Sequence, residues 1–282
     1  MNSEKNKIID TFLFFNEIEM LKIRLEYLGP IIDYFVIAEA DIDFAGVKKK
    51  FNLNKNIINT LPFSEKIIYY QKKINFNSLF WKIRKIRYGK NKARLLWKLQ
   101  DAQRNSLLEP LREFNQNDLI IFSDIDEFPS LEAITFIKSK GKRKNIETYS
   151  CKQIFYYYDL NNAAINDCFY GSIFTDLKKF RKLLPHKIKS KKNDYQHIEN
   201  GGWHFSYFMN TNKIREKIYA ISDVENLSNF KSLSIQDIKE KVINSHDLYG
   251  RNIFLSNSMA NAIPKNLKKI FEKYLPECTR RS

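Results

Sequence analysis

The residues best suited to chemistry are three acids that follow an apolar run. Asp124, Asp126 and Glu127 come after an apolar segment that predicts a buried strand over residues 118–124. In an open parallel sheet, ligands bind outside the carboxyl ends of the strands. Clustered carboxylates are costly there unless a cation neutralises them, and their hard oxygens suit Mg²⁺ or Mn²⁺ shared with a substrate diphosphate. We expect a divalent-metal site, with Asp124 and Asp126 on one side of the strand if its pleat continues.

A structural role for these acids is the alternative. Acids at a strand end can cap a following helix, and Ser130 is also placed to cap a helix predicted over residues 130–140. A D-x-D string is common by chance. The longer D-x-D-E pattern, after an apolar strand and closed by Pro129, is more specific and favours metal binding.

The elements around the acids alternate between strand and helix patterns. The first half is predicted to contain strands over residues 8–15, 33–40 and 66–70 and helices over 16–29 and 94–114. This order predicts an α/β fold with a mostly parallel sheet and helices on both faces. After residue 145, aromatic strand-like runs indicate a more mixed second half, and helical patterns return after residue 211. We expect one domain, residues 1–282, divided into regions 1–145, 146–255 and a basic helical tail, 256–282.

Positive charge is concentrated in three segments. The sequence has 48 Lys and Arg against 32 Asp and Glu, a net charge of +16, with basic runs within residues 48–98, 178–192 and 263–282. Nucleic acid, an anionic membrane surface or a phosphorylated substrate can each explain this excess. A lysine-rich surface that only keeps the protein solvated is the simpler alternative.

Composition excludes several other classes. Hydrophobic residues make up 43% of the chain, which excludes global disorder. No apolar run approaches the ~20 residues of a membrane-spanning helix. There is no G-x-G-x-x-G or P-loop pattern, and the three cysteines lack metal-ligand spacing. Since no signal peptide is recognised either, we expect a cytoplasmic protein, with peripheral contact to the inner membrane face as a further expectation.

Four sequence blocks, in order, resemble glycosyltransferase family 17. The first is D-x-F-x-F-x-N-E at residues 10–17, followed by an L-x-I-R-L helix segment that contains Arg24. The others are DYFVIAEADIDFAGVKK at 33–49, QRN at 103–105 leading to FSDIDEFP, and GWHFSYF at 202–208; a later DLYGR at 247–251 is also similar. The resemblance is to the catalytic core and to shorter, bacterial-type members.

The resemblance implies a fold and a reaction. The fold is GT-A, a Rossmann-like domain, with residues 1–145 binding the nucleotide sugar and 146–255 on the acceptor side. The reaction is inverting transfer of a sugar, GlcNAc from UDP-GlcNAc, to a glycan or lipid-linked saccharide, with Mn²⁺ or Mg²⁺ as cofactor. The resemblance also implies that Asp126 binds the metal and that Asp124 contacts the ribose or the metal's water shell.

Further residues are candidate donor and metal ligands under this resemblance. Asn16, Glu17 and Glu39 lie at predicted strand ends, where a GT-A fold holds the nucleotide. For Asn16 and Glu17 the alternative is capping of the next helix, and for Glu39 it is an ion pair. His204 would complete the metal site, with His246 as its competitor.

A second group of candidates comes from the long helix and the aromatic runs. Arg104 is placed to reach the diphosphate or Asp124, or else to pair with Asp101 on its own helix. Trp203 and the tyrosines at 156–158 are suited to stack on sugar rings, although aromatic strands more often belong to the core.

An inverting displacement also needs a base to deprotonate the acceptor hydroxyl. Asp247 is the first candidate and Glu199 the second. The competing function is a metal-dependent nuclease or nucleotidyltransferase acting on nucleic acid. Such an enzyme would also have a basic surface and a cluster of acids at its active site. No nucleic-acid-binding motif accompanies the basic segments, so we expect no nucleic-acid partner.

Overall fold

The computed structural model describes residues 6–89, 91–140, 146–221 and 232–279. Lys90 of the first basic segment, the predicted division at residue 145 and the end of the tail at 280–282 lie outside these residues. The described strands are Ile8–Leu13 (β1), Tyr34–Ala40 (β2), Ile67–Lys72 (β3), Leu119–Phe122 (β4), Glu127–Pro129 (β5), Tyr149–Tyr157 (β6), Ala163–Ala164 (β7), Phe169–Asp176 (β8), Gln196–Ser206 (β9) and Leu255–Ser256 (β10).

The described α-helices are distributed along the whole chain. They are Ile18–Leu28 (α1), Lys55–Asn59 (α2), Leu79–Tyr88 (α3), Lys92–Asn105 (α4), Leu131–Lys140 (α5), Leu177–Leu183 (α6), Pro185–Ser190 (α7), Thr211–Ala220 (α8), Ile235–Ile243 (α9) and Lys265–Tyr274 (α10). Short 3₁₀ turns lie at Ser64–Lys66, Ser106–Leu108, Asn257–Ala262 and Pro276–Cys278.

One sheet runs through both halves of the chain. In the first half β4, β1, β2 and β3 lie side by side in that order, and all pair in parallel. β8 then joins β4 and β6 antiparallel, while β9 runs parallel to β6 and antiparallel to β5. The predicted α/β class, with a mostly parallel sheet and a mixed second half, is confirmed.

Helices cover both faces of the parallel half, as predicted. Alternate strand residues face opposite sides, because successive side chains of a strand point to opposite faces. Ile8, Phe12 and Phe35 belong to a core that includes residues of α1 and α10, such as Leu21 and Phe271. The strand residues that alternate with them, Ile9, Val36 and Ile120, belong to the core on the other face of the sheet. That core also includes Phe180 of α6 and Ile188 of α7.

The long helix predicted over residues 94–114 is shorter in the structure. α4 begins at Lys92, ends at Asn105 and continues as a 3₁₀ turn to Leu108. Pro110 explains the end, because its ring would clash with the carbonyl four residues earlier and it has no N–H to donate. α3, α6 and α7 were not predicted, since their sequences had been interpreted only as basic segments.

No helix in the described ranges is both long and apolar enough to cross a membrane. Basic α10 instead buries Leu267 and Phe271 in the core that it shares with α1.

Candidate active site

A cavity of about 250 Å³ lies where β1 and β4 end. These two strands are neighbours, but the chain leaves β1 towards β2 on one side and returns to β4 on the other. Such a reversal of strand order opens a crevice at the carboxyl ends of the strands, where open α/β sheets bind their ligands. The polar lining includes Glu17, Asp43, Gln103, Asp124, Asp126, His204, Ser206 and Lys217.

The loop that carries the two aspartates is fixed by a buried arginine. Arg24 of α1 donates from Nε and Nη2 to the two carboxylate oxygens of Asp10 in β1, both at 2.7 Å, and both side chains are fully buried. The same guanidinium also donates to Ser123 Oγ (2.5 Å) and to the carbonyls of Ile125 (3.3 Å) and Glu127 (2.8 Å). Because one rigid donor group binds all these acceptors, the path of residues 123–127 is set by the pair.

This loop is a turn and not a continuation of the strand. β4 ends at Phe122, and the Glu127 amide donates to the Asp124 carbonyl at 3.0 Å. The sequence predicts that the strand pleat brings Asp124 and Asp126 to the same side, but the strand ends before either residue. The turn brings them together instead, and both residues line the cavity.

Asp124 faces two cations from different elements. Its carboxylate lies 3.2 Å from Lys189 Nζ of α7 and 3.8 Å from Arg104 Nη2 of α4, and 42% of its side chain is exposed. Desolvation raises its pKa, but the charges of Lys189 and Arg104 outweigh this and hold the pKa at about 2. Asp124 is therefore ionised at neutral pH. Asp101, the alternative partner predicted for Arg104, pairs instead with Lys98 at 2.8 Å.

Asp126 is more deeply buried and pairs with Lys217 of α8. Lys217 Nζ lies 2.9 Å from Asp126 Oδ2 and 3.2 Å from Glu17 Oε1. Burial raises the pKa of Asp126, but Lys217 and His204 hold that pKa well below its usual range. Burial lowers the pKa of Lys217, and the carboxylates of Asp126 and Glu17 raise it above its ordinary value. Asp126 and Lys217 are therefore both charged.

Glu127 serves the site from behind the cavity. It is fully buried, and Lys189 Nζ donates to its two oxygens at 2.7 and 2.5 Å. Its carboxylate also accepts from the Asp124 amide at 2.9 Å and from the Ser172 amide at 3.3 Å. Glu127 thus holds Lys189 against Asp124 and does not line the cavity as the third acid of a cluster.

His204 is brought to Asp126 by the pairing of β9 with β5. His204 is opposite Glu127 in that pairing, and its ring stacks on Phe155 with centroids 4.4 Å apart. The strands approach closely at Gly202, whose φ is +140° and where a Cβ would lie 2.0 Å from the Phe128 carbonyl oxygen. Only glycine tolerates both conditions. His246 is exposed and does not line the cavity, so His204 is the histidine at the acids.

The first two strand ends contribute unequally. Glu17 lines the cavity, and its Oε2 accepts from the Asn16 amide at 3.1 Å, but neither side chain caps α1. Asn16 Nδ2 donates to Glu216 at 3.3 Å. Glu39 is buried behind the wall, where it accepts from the Asn52 amide (2.7 Å), the Leu53 amide (3.1 Å) and Tyr69 Oη (2.7 Å) and pairs with Lys49. The ion-pair alternative describes Glu39, which fixes the loop beside the cavity.

The aromatic residues predicted to stack on sugar rings lie elsewhere, which corrects those expectations. Trp203 points away from the cavity, because His204 and Ser206 occupy the alternate positions that face it; its ring is buried against Tyr27, with centroids 6.2 Å apart. The tyrosines at 156–158 are also buried in the core.

The two predicted bases are also displaced. Asp247 is buried and held by Arg251, whose Nη2 and Nε donate at 2.8 and 3.2 Å. Glu199 is exposed at the other end of β9 and pairs with Lys152 at 3.0 Å. Neither carboxylate lines the cavity, so neither is placed to deprotonate a substrate bound there.

The sequence patterns indicated no site role for Asp10, Arg24, Lys189 or Lys217, although the first two belong to the blocks that resemble the family. Arg24 has a signal, since it lies among the apolar positions that α1 buries, whereas Lys189 lies inside one of the basic segments. Lys217 has no signal, because α8 has the polar composition of an ordinary surface helix.

The donor set at Asp126 fits a divalent cation such as Mn²⁺ or Mg²⁺. Asp126 Oδ1 and His204 Nε2 are 3.5 Å apart, close enough for both to bind one ion at ligand distances of about 2.1 Å. His204 Nδ1 is buried and has no hydrogen-bond partner within the described residues, so Nε2 is the nitrogen available at the acids. No three His, Cys, Asp or Glu side chains of the described ranges already form a complete site. Water or a substrate diphosphate would supply the remaining ligands.

The fold and this acidic, cation-lined cavity define an α/β protein with a ligand site at the switch point of its sheet. The family model of glycosyltransferase family 17 matches residues 1–257. The chain therefore belongs to glycosyltransferase family 17 and is a glycosyltransferase.

Comparisons with other proteins add less. No curated protein matches the sequence. Among solved structures, the chain is similar to a 4-diphosphocytidyl-2C-methyl-D-erythritol synthase, with 10% identity, a TM-score of 0.37, and coverage of 72% of this chain and 90% of that one. It is also similar to the 2-C-methyl-D-erythritol 4-phosphate cytidylyltransferase of Francisella tularensis, with 11% identity, a TM-score of 0.34, and coverage of 69% and 90%.

Proposed function

We propose that this glycosyltransferase has a GT-A type domain and transfers GlcNAc from UDP-GlcNAc to a saccharide or lipid-linked saccharide, with inversion at the anomeric carbon. The proposal is carried by one observation. Asp124 and Asp126 border one cavity at the ends of β1 and β4, each beside lysine from the second half of the chain. A nucleotide diphosphate needs such a mixture of acids, which hold a metal, and cations, which bind its oxygens directly.

Asp126, His204 and Asp124 would hold Mn²⁺ or Mg²⁺. When bound, this ion supplies Lewis-acid stabilisation of the charge that develops on the leaving diphosphate. Lys217, between Asp126 and Glu17, holds both carboxylates in place.

A cluster of cations beside Asp124 would bind the donor's diphosphate. Lys189 and Arg104 contact Asp124 already, and Lys192 lies near them with its Nζ over the Phe169 ring, 3.6 Å from the centroid. Burial lowers the pKa of Lys192 to about 8; nearby Glu127 and Asp124 act against this, while Lys189 and Arg104 add to it. Lys189, Arg104 and Lys192 thus bring three cations to the Asp124 side of the site, and such a cluster attracts phosphate oxygens.

The base would come from the cavity wall, since Asp247 and Glu199 lie outside it. Besides the two metal-site aspartates, the carboxylates in the described lining are Glu17 and Asp43. Glu17 shares Lys217 with Asp126 and belongs to the donor side. Asp43 lies on the loop after β2, next to Phe44, and is our candidate. We expect Asp43→Asn to lose at least about a hundredfold in kcat with donor KM little changed. Asp247→Asn should keep the kcat of the unmodified protein.

A panel of nucleotide sugars tests the proposed reaction. The protein is incubated with each sugar and Mn²⁺, without acceptor, and the products are analysed for UDP and for pyrophosphate. We expect slow release of UDP, fastest from UDP-GlcNAc and lost on chelation of the metal. Pyrophosphate-dependent exchange would instead indicate nucleotidyl transfer, and metal-independent UDP release would contradict the metal assignment.

A further inference from the structure

Helix α3 exposes an apolar side to solvent. The exposed fractions are 73% for Leu79, 55% for Ile83 and 81% for Ile86, and adjacent Phe80 is 56% exposed. Positions i, i+4 and i+7 of a helix lie on one face, so these side chains form a continuous stripe. Trp81, on the opposite side of α3, is buried. A single exposed aliphatic residue is ordinary, but a stripe of them along one helix marks an interaction surface.

Cations border this stripe on both sides. Lys82 and Arg87 are exposed, and the helix periodicity places them on either edge of the stripe. Arg84 and Lys85 lie lower on the two sides, over the rings of Phe80 (4.2 Å) and Phe76 (4.3 Å). No acid occurs between residues 66 and 100.

The other basic segments of the described chain do not have this combination. α10 buries its apolar residues, Leu267 and Phe271, in the core it shares with α1. Within residues 178–192, Lys189 is used by the active site, and Arg181 Nη2 donates to three carbonyls between residues 111 and 114. Charge and exposed apolar surface therefore coincide at α3.

α3 is also anchored close to the active site. Trp81 packs against Phe76, with ring centroids 5.0 Å apart, in a small core with Ala40, Ile42 and Leu96. Ala40 and Ile42 line the active-site cavity. The helix is thus held on the wall of the cavity, with its apolar stripe directed outward.

We propose that α3 is an interfacial helix that binds an anionic lipid bilayer, with Leu79, Ile83 and Ile86 entering the headgroup region and Lys82 and Arg87 contacting anionic headgroups. The combination of an apolar stripe with a cationic border is what interfacial helices require. Nucleic acid is disfavoured as the occupant, because it would use the cations and leave the aliphatic stripe in water. The proposal goes beyond the reaction and does not depend on it.

Vesicle co-sedimentation tests the inference on the full chain. We expect binding to vesicles of phosphatidylglycerol and phosphatidylcholine, weakening with added salt, and little binding to phosphatidylcholine alone. The double variant Ile83→Ser/Ile86→Ser should bind at least about tenfold more weakly. Lys82→Gln/Arg87→Gln should lose about five- to thirtyfold, because each headgroup contact contributes a few-fold.

A matched control uses two other exposed isoleucines. Ile235 and Ile243 of α9 are also exposed, and their double serine variant should bind anionic vesicles as the unmodified protein does. Thermal unfolding of every variant checks that the fold is intact. Unchanged binding by Ile83→Ser/Ile86→Ser, equal binding to neutral vesicles, or binding to duplex RNA in place of vesicles would each overturn the proposal.

Discussion

Arg24 and Asp10 form a bidentate ion pair inside the protein, with both side chains fully removed from solvent. Removing one partner would leave the other charge buried and uncompensated, which costs roughly 3–5 kcal/mol. We therefore expect Arg24→Met to lower the free energy of unfolding by about that amount, as measured by urea denaturation.

A surface pair supplies the control for this prediction. Lys273 lies 2.7 Å from Glu26 in the same kind of contact but is well exposed. Lys273→Met should leave the urea unfolding transition almost unchanged, because exposed pairs contribute little. Similar losses in the two variants would contradict the role given to Arg24.

Asp126→Asn should abolish transfer while the protein remains folded. The substitution removes the carboxylate that is proposed to hold the metal beside His204 and Lys217, and we expect a loss of at least about a thousandfold in kcat/KM. Weaker Mn²⁺ binding, measured by calorimetry, should accompany it. Glu199→Gln is the matched acid-to-amide control, since Glu199 pairs with Lys152 outside the cavity, and it should stay within about twofold of the unmodified enzyme.

Lys189 should determine how the protein responds to acid. The pKa of Asp124 is about 2, below its ordinary value of 3.8, so its stabilising contribution is complete above pH 3.8 and is lost as the pH falls towards 2. Lys189→Met removes the largest cause of that lowering and also leaves buried Glu127 without its cation. We expect unfolding on acid titration, followed by circular dichroism, to begin at a higher pH in this variant. Lys152→Met, which affects only an exposed pair, should leave the acid transition in place.

Lys192 should be unusually reactive towards acylating reagents. With a pKa of about 8, close to half of its amine is neutral at pH 8, whereas an ordinary lysine with a pKa near 10.4 is about 0.4% neutral there. Mass spectrometry after brief acetylation should find Lys192 modified well before exposed Lys191. UDP should protect it, because the diphosphate is proposed to bind beside it. Equal labelling of the two lysines would contradict the lowered pKa.

Local patterns were sufficient for much of the fold. The sequence predicts β1, α1, β2, β3 and β4 within a few residues of their observed bounds. Each of these elements has its own pattern of apolar residues, and contacts with neighbouring elements do not change it. α3 was missed since its one buried residue is Trp81, which leaves no buried periodic face to detect.

The candidate site was only partly predictable, for a different reason. Asp124 and Asp126 are two residues apart and follow an apolar strand, so the pattern alone indicates them. Lys217 meets Asp126 only because β9 leads α8 back over the cavity, and no local pattern encodes that return. Trp203 was misplaced because the same motif sends alternate residues to opposite faces, and the sequence does not say which face is the cavity.

The contact between Glu17 and Lys217 joins positions 200 residues apart in the chain. During synthesis at about 5–20 residues per second, the acidic loop must therefore exist for many seconds before its lysine leaves the ribosome. In that interval Glu17 and Asp126 have no partner from α8, and part of the cavity wall, including Lys217 and Tyr249, has not yet been made. A ribosome-bound chain stalled before α8 should accordingly bind no donor.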